Sequence, residues 1–310
     1  MASIQGFYIN LETHKERETI LREELSKIGK LHLYKRFQAK EGDETRAKAK
    51  KLSKGEHGLW MSWIKLLEEI QKDCSEDYDY VHIVEDDALI SEQFYDFAAK
   101  LSNKSPVADM IMTDMYVNIN IYEFAVKLMR GFPIQGTSGE IRLTKEYTGC
   151  AASCLIHKSK TEKVLNVLKG GYEESSVIPI DNYFRRMNRK GTLSVATTLP
   201  FLTSVQLWSI GDSTIQNREK DKCNARNAIT QTQQYNTYLR RMLSVYKDKA
   251  DIVMMTKLAL EITGSDEVKT EKLNSNVIEA LNEYLMKERL LRYRREKRLD
   301  NDDNPQILYD

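Results

Sequence analysis

The sequence predicts an α/β domain with parallel strand pairing, followed by a small all-α C-terminal region. Three observations predict it. Apolar, β-branched runs alternate with stretches whose apolar residues recur at helical spacing, the order that builds strand–helix–strand units with right-handed crossovers. Ser/Thr-x-x-Glu capping signals open several of the helical stretches. Around residues 217–226 the composition turns polar and charged, and no strand pattern survives beyond it. Segments near 227–247, 251–262 and 270–298 then read as helices, with a break at Gly264. The boundary is placed at 220, giving an α/β domain over residues 1–220 and a helical region over 221–310.

The 310 residues suffice for one large core, or one core and a smaller appended unit. With 41% hydrophobic and 30% charged residues the chain is expected to be globular. Lys+Arg 47 against Asp+Glu 46 leaves no net field to attract a nucleic acid, and none is expected as a partner. Cys74, Cys150, Cys154 and Cys223 make no disulfide framework, and Cys150-x-x-x-Cys154 lies in an apolar run, so buried reduced thiols are expected. No signal peptide precedes Gly6, and no apolar run approaches the ~20 residues that span a bilayer, so a cytoplasmic location is expected.

In order, Gly6-Phe7-Tyr8-Ile9-Asn10-Leu11 reads as the first strand. Thr13, with Glu16 as its reciprocal partner, is expected to cap a helix that buries Ile20, Leu21, Leu25 and Ile28 and stops at Gly29. A short strand spans residues 31–37, and the charged residues 40–51 read as a mobile loop. Ser53 and Glu56 form a second capping box for a helix carrying Leu59, Trp63, Leu66, Leu67 and Ile70, with Trp60 and Trp63 expected in the core. After the strand at residues 80–87 comes a helix over 92–101, with Asp87 or Ser91 as its cap. Residues 109–114 read as a strand whose terminal acid, Asp114, is expected to be solvated, with a contact to donor or acceptor as the alternative. Residues 116–140, with Gly131, Gly136 and Gly139, read as a variable insertion. Residues 149–156 form a buried strand; Ser159 and Glu162 cap a helix through Val164, Leu165 and Leu168 that ends at Gly170-Gly171. A helix then opens at Tyr183 and Phe184, and residues 192–196 make a short strand.

The stretch Tyr80-Val81-His82-Ile83-Val84-Glu85-Asp86-Asp87 organises the rest. Three consecutive carboxylates where a buried strand ends are expensive unless something pairs with them. Hard divalent cations such as Mg²⁺ or Mn²⁺ take such oxygens, commonly one or two carboxylates with phosphate oxygens completing the shell. An acidic turn capping the next helix is the plainer alternative.

Several pieces, in one order, resemble glycosyltransferase family 25. They are Phe7-Tyr8-Ile9-Asn10-Leu11 followed by Arg17, then Gly55-Glu56-x-Gly58 with Ser62, then Val84-Glu85-Asp86-Asp87-Ala88. Gly149-Cys150-Ala151-Ala152, Ile180-Asp181 and Ser213-Thr214-Ile215 complete the likeness, which covers roughly residues 4–216. Its members are lipopolysaccharide or lipooligosaccharide biosynthesis enzymes, similar to the collagen galactosyltransferases. Two positions depart from the family: Leu59 stands where its cysteine is usual, and Ser62-Trp63 where Ser-His is usual.

The resemblance implies a GT-A-like, Rossmann-type nucleotide-sugar-binding domain, a UDP-sugar donor (most often UDP-galactose), Mn²⁺ or Mg²⁺, inversion at the anomeric carbon, and a glycan or glycolipid acceptor. In these terms Asp87 is the first metal ligand. Glu85 faces the donor, and Asp86 binds ribose, or the metal through water. Asn10 and Arg17 contact the nucleotide. Asp181 is the candidate general base, with N-cap of a helix beginning at Asn182 as the competing role. Two other functions stay open: a metal-dependent nucleotidyl- or phosphotransferase, and a degenerate transferase domain used for binding. No G-x-x-x-x-G-K-[ST] loop supports a P-loop version of the former.

Near the C-terminus, Lys287, Arg289, Arg292, Arg294, Arg295, Lys297 and Arg298 face two acids, Glu288 and Glu296, a local excess of +5 interleaved with Leu290, Leu291 and Tyr293. A basic helix with an apolar stripe can lie on an anionic membrane. A solvated helix packing its leucines on its neighbours is the alternative.

Overall fold

The computed structural model describes residues 2–73, 77–117 and 141–205, together with 236, 237, 240 and 243–245. The proposed boundary at 220, the Ser213-Thr214-Ile215 motif, Cys74, Cys223, most of the insertion at 116–140, nearly all of the C-terminal helices and the basic stretch 287–298 lie outside these residues. The described residues belong to a compact unit within Met1–Tyr246.

Seven strands form one sheet in the order β2-β1-β3-β7-β5-β8-β6, numbered along the chain: β1 Ile4–Asn10, β2 Tyr34–Gln38, β3 Tyr80–Glu85, β5 Met110–Met112, β6 Arg142–Thr144, β7 Ser153–His157 and β8 Val195–Leu199. A short antiparallel pair, β4 Ala88–Ile90 with β9 Thr203–Val205, stands apart from it. β1 pairs in parallel with β2 and β3, and β5 with β8. The expectation of parallel pairing holds only in part, because β7 runs antiparallel to both β3 and β5, and β6 antiparallel to β8. β7 is buried along its length, and such a strand reads the same whichever way it runs, so its side chains carry no mark of direction.

The described helices are α1 Lys15–Lys27, α2 Glu44–Lys50, α3 Lys54–Lys72, α4 Glu92–Lys100, α5 Thr161–Tyr172 and α6 Ile180–Arg189. They cover both faces of the sheet. Tyr80 and Val84 of β3 join Leu21 and Leu25 of α1 and Phe94 of α4 in one cluster. On the other face α3 packs against α5 and α6. Trp60 and Trp63 are fully buried there, as expected: Trp60 lies 5.1 Å from the Tyr183 ring and donates to the Ile178 carbonyl, while Trp63 meets Phe184 edge-on at 5.2 Å. The Ser53–Glu56 capping box forms in full, each side chain accepting from the other residue's backbone amide.

Other local expectations give way to tertiary contacts. Residues 44–50, within the expected loop, are helical because Asp43 caps them through the Arg46 amide and Ala47 is buried. The strand expected from residue 31 opens instead as a 3₁₀ turn, Leu31–Leu33. Thr13 does not cap α1; His14 occupies the cap position and lends no side-chain bond. Ser159 is taken by His157 Nδ1, so α5 starts without a side-chain cap. α5 also runs past Gly170-Gly171 to Tyr172, and Gly171 is needed for closeness, since a Cβ there would sit 2.2 Å from Tyr183 Cζ. α6 starts at Ile180 behind Pro179, so Asp181 lies inside its first turn and is not its N-cap. Ser91 does precede α4, but its hydroxyl bonds the Leu202 carbonyl rather than capping.

A buried polar chain ties the layers together. Tyr95 donates to Tyr34, whose hydroxyl meets His82 Nδ1 at 2.6 Å; His82 Nε2 meets Ser153 Oγ at 2.8 Å, Ser153 continues to Thr113, and Thr113 to Thr203. The His82 ring stacks on Phe94 at 4.0 Å. Burial lowers the His82 pKa from 6.5 to about 3. Between those values the unfolded chain binds a proton that the folded chain does not. His82 therefore favours the fold above about pH 6.5 and loses that contribution as pH falls toward 3. His82→Gln, which does not titrate, should flatten the stability–pH curve over this range, measured by urea midpoints. Separately, Gly58→Ala would bring a Cβ to 2.6 Å from the Lys40 carbonyl oxygen. It should lower stability by about 1–3 kcal/mol and open the contact between residues 40–42 and α3, read from the melting temperature.

Candidate active site

The carboxyl end of β3 forms the wall of a cavity of about 360 Å³. It is built from the end of β1 (Ile9, Leu11), the start of α1 (Thr13, His14, Arg17), residues 39–42, the start of α3 (Lys54, Gly55, Gly58, Leu59, Ser62) and the acidic turn Glu85-Asp86-Asp87. Residues 39–42 reach this close to α3 through glycine: a Cβ on Gly42 would fall 1.7 Å from the Lys54 carbonyl oxygen. Ser62 Oγ fixes the same loop by accepting from the Lys40 amide at 2.8 Å.

Each carboxylate in the turn is held differently. Asp86 is nearly buried and fully engaged: Asn10 Nδ2 donates to one oxygen at 2.9 Å, Arg17 Nη1 to the other at 3.2 Å, and His14 Nδ1 stands 3.9 Å away. Burial and the Asp87 charge raise the Asp86 pKa, against the pull of Arg17 and Asn10. Burial raises Glu85 well above the usual carboxylate range, reinforced by Asp87, Asp86 and Asp181 and opposed by Arg240. Asp87 keeps one oxygen, Oδ1, buried and without a hydrogen-bond partner among the described residues. Among the described residues no three His, Cys, Asp or Glu side chains converge as a ready-made ion site.

Asn10 stands behind this wall. It is buried, and its side chain also bonds the His14 carbonyl and Arg36 Nε. Arg17 lines the cavity and grips Asp86 at once. Trp63, at the position where the resemblance led one to expect a histidine, points into the core and does not line the cavity, whereas Leu59 and Ser62 do.

Asp181 is half-buried outside the cavity lining, at the same end of the sheet. One of its oxygens accepts from the Asn182 amide at 2.8 Å, the other from the Cys150 amide at 3.3 Å. Gly149 has φ 129° and Cys150 φ 81°; a Cβ on Gly149 would lie 3.3 Å from the Asp181 carboxylate. Glu85 adjoins this loop through its amide, which donates to the Ala152 carbonyl.

Sequence reasoning misplaced Asp114. It is not solvated: it is 1% exposed and paired through both oxygens with Arg240, itself buried. Nothing local could have announced a partner 126 residues away. Lys40 and Lys54, which bring positive charge to the cavity, also went unremarked, because in sequence they look like ordinary surface residues.

The model of glycosyltransferase family 25 (LPS biosynthesis protein) matches residues 3–184. A search of curated proteins finds no match. Among solved structures, one similar chain is a glycosyltransferase involved in the glycosylation of the major capsid of PBCV-1, at 8% identity and a TM-score of 0.30, too slight a likeness to argue from. That match covers 55% of this chain and 65% of the other, so the chain spans less than two thirds of that structure's length. The family match takes in β1, α1, the acidic turn after β3, the Gly149-Cys150 loop and Asp181. The chain belongs to glycosyltransferase family 25.

Proposed function

We propose that this chain is a metal-dependent, inverting glycosyltransferase that moves a sugar from a nucleotide-sugar donor, UDP-galactose first among them, onto a hydroxyl of a surface glycan such as lipooligosaccharide. The observation that carries the reading is Asp87 Oδ1, a buried carboxylate oxygen without a partner in the acidic wall of a cavity. An orphaned anionic oxygen is costly unless a ligand completes it. That fits Mn²⁺ or Mg²⁺, which a protein commonly holds by one or two carboxylates while phosphate oxygens fill the shell. When bound, such an ion neutralises charge developing on the leaving phosphate.

The chain's own groups do the rest. Arg17, Lys40 and Lys54 give the cavity its positive side for the diphosphate. Asp86 acts chiefly by fixing Arg17, with Asn10 bracing it from behind, so Asn10 serves the nucleotide indirectly. Glu85, between the cavity and the Asp181 loop, faces the sugar. Asp181 takes the proton from the acceptor hydroxyl as that oxygen attacks the anomeric carbon opposite the leaving phosphate. A nucleotidyl- or phosphotransferase would use the same acids, and product analysis with a panel of nucleotide sugars, with and without Mn²⁺, separates it from sugar transfer.

Asp87→Ala should abolish transfer while leaving the melting temperature close to that of the wild type, and EDTA should do the same reversibly. Full turnover in chelator, or Mn²⁺ binding by electron paramagnetic resonance that Asp87→Ala leaves unchanged, would remove the metal role. Asp181→Asn should lower kcat by about 10²- to 10⁴-fold with little change in the donor KM. Near-normal turnover in a variant that only melts earlier would leave Asp181 as a helix-end residue.

A further inference from the structure

Arg240 lies beyond the segment matched by the family, yet its side chain sits at the catalytic end of the sheet, 7% exposed. Its neighbours tie that part of the chain down. Asn236 Nδ2 donates to the Val117 carbonyl at 2.7 Å, the Phe201 amide donates to the Leu243 carbonyl, and the Val245 amide donates to the Phe201 carbonyl. The guanidinium grips both oxygens of Asp114 and at the same time places Nη2 3.2 Å from Cys150 Sγ.

Cys150 is the residue that needs holding. Its backbone adopts φ 81°, a region that L side chains occupy only when the surroundings impose it. Three contacts impose it: the Tyr147 hydroxyl donates to the Cys150 carbonyl, Arg240 holds the sulfur, and the Cys150 amide donates to Asp181 Oδ2. We infer that Arg240 is a positioning residue for Asp181, anchored on Asp114 and acting through Cys150. The role given to Asp181 rests on the transferase reading above; the contact itself does not. Chain outside the family segment thus completes the site.

A fork of rigid N–H groups can hold a carboxylate and a third atom together, which a lysine ammonium cannot do with the same geometry. Arg240→Lys should accordingly keep the fold but lower kcat, whereas a pair serving only to neutralise Asp114 would tolerate lysine. Removing Arg240 alone would strand a buried charge, so the decisive variant is Asp114→Asn with Arg240→Met, in which both partners are neutral. Two measurements are made on the full chain. Amide hydrogen exchange over residues 147–152 should become several-fold faster at unchanged global stability. With a nucleotide sugar turned over by the wild type, kcat should fall by about 10- to 100-fold with the donor KM held, and the same double change in an Asp181→Asn background should cause no further fall. Unchanged exchange over 147–152, full turnover in Arg240→Lys, or a loss additive with that of Asp181→Asn overturns the inference. Failure of the wild type to use any nucleotide sugar would instead sink the transferase reading, and the exchange result would still decide whether Arg240 holds the Cys150 loop.

Discussion

Three carboxylates at the end of a strand that is buried along its length set the terms for everything around them. Taking an ionised carboxylate out of water costs several kcal/mol even after relaxation, so each must be paired, protonated or completed by a ligand. This chain uses the first two for Asp86 and Glu85. Asp86 is paired with Arg17 and Asn10, Glu85 is pushed toward its protonated form, and Asp87 retains a buried oxygen with no hydrogen-bond partner among the described residues. A fourth acid, Asp114, is silenced by the fork of Arg240. The donors that reach the acidic turn therefore leave Asp87 Oδ1 buried without a hydrogen-bond partner among the described residues.

The cavity's shape depends on backbone approach more than on side chains. Residues 39–42 lie against the first turns of α3 because Gly42 and Gly58 present no Cβ to each other's neighbours, and Ser62 pins the loop by its hydroxyl. The capping box at Ser53 sets where α3 begins and so where Lys54 and Gly55 reach the cavity. Trp60 and Trp63 anchor the opposite face of the same helix against α6, which carries Asp181 in its first turn. One helix thus links the wall of the cavity to the element bearing the proposed base.

The second half of the sheet brings the remaining parts together. β7 slots between β3 and β5, which puts the Gly149-Cys150 loop beside Glu85 at one side and Asp181 at the other. The positive φ values at Gly149 and Cys150 let the chain turn tightly enough to offer an amide to Asp181. Its stability is borrowed from Tyr147 and from Arg240, which arrives from 90 residues further on.

Patterns local in sequence determined the larger elements. The β-branched run of β3, the capping box and apolar face of α3, the burial of both tryptophans and the acidic turn are each properties of a few neighbouring residues, and each could be read directly. The family motifs were legible for the same reason, since Val84-Glu85-Asp86-Asp87-Ala88 and Ile180-Asp181 are contiguous. What only the tertiary structure decided are pairings between distant residues. The direction of β7, buried along its length, leaves no mark on its side chains. The retreat of Asn10 behind Asp86 and the choice of Asp87 as the acid with an unpartnered oxygen depend on which donors folding delivers. Asp114 looked like a solvated strand end because charge in sequence reports cost, not compensation. Its compensation is a guanidinium 126 residues away, placed there by the packing of chain that no motif marks.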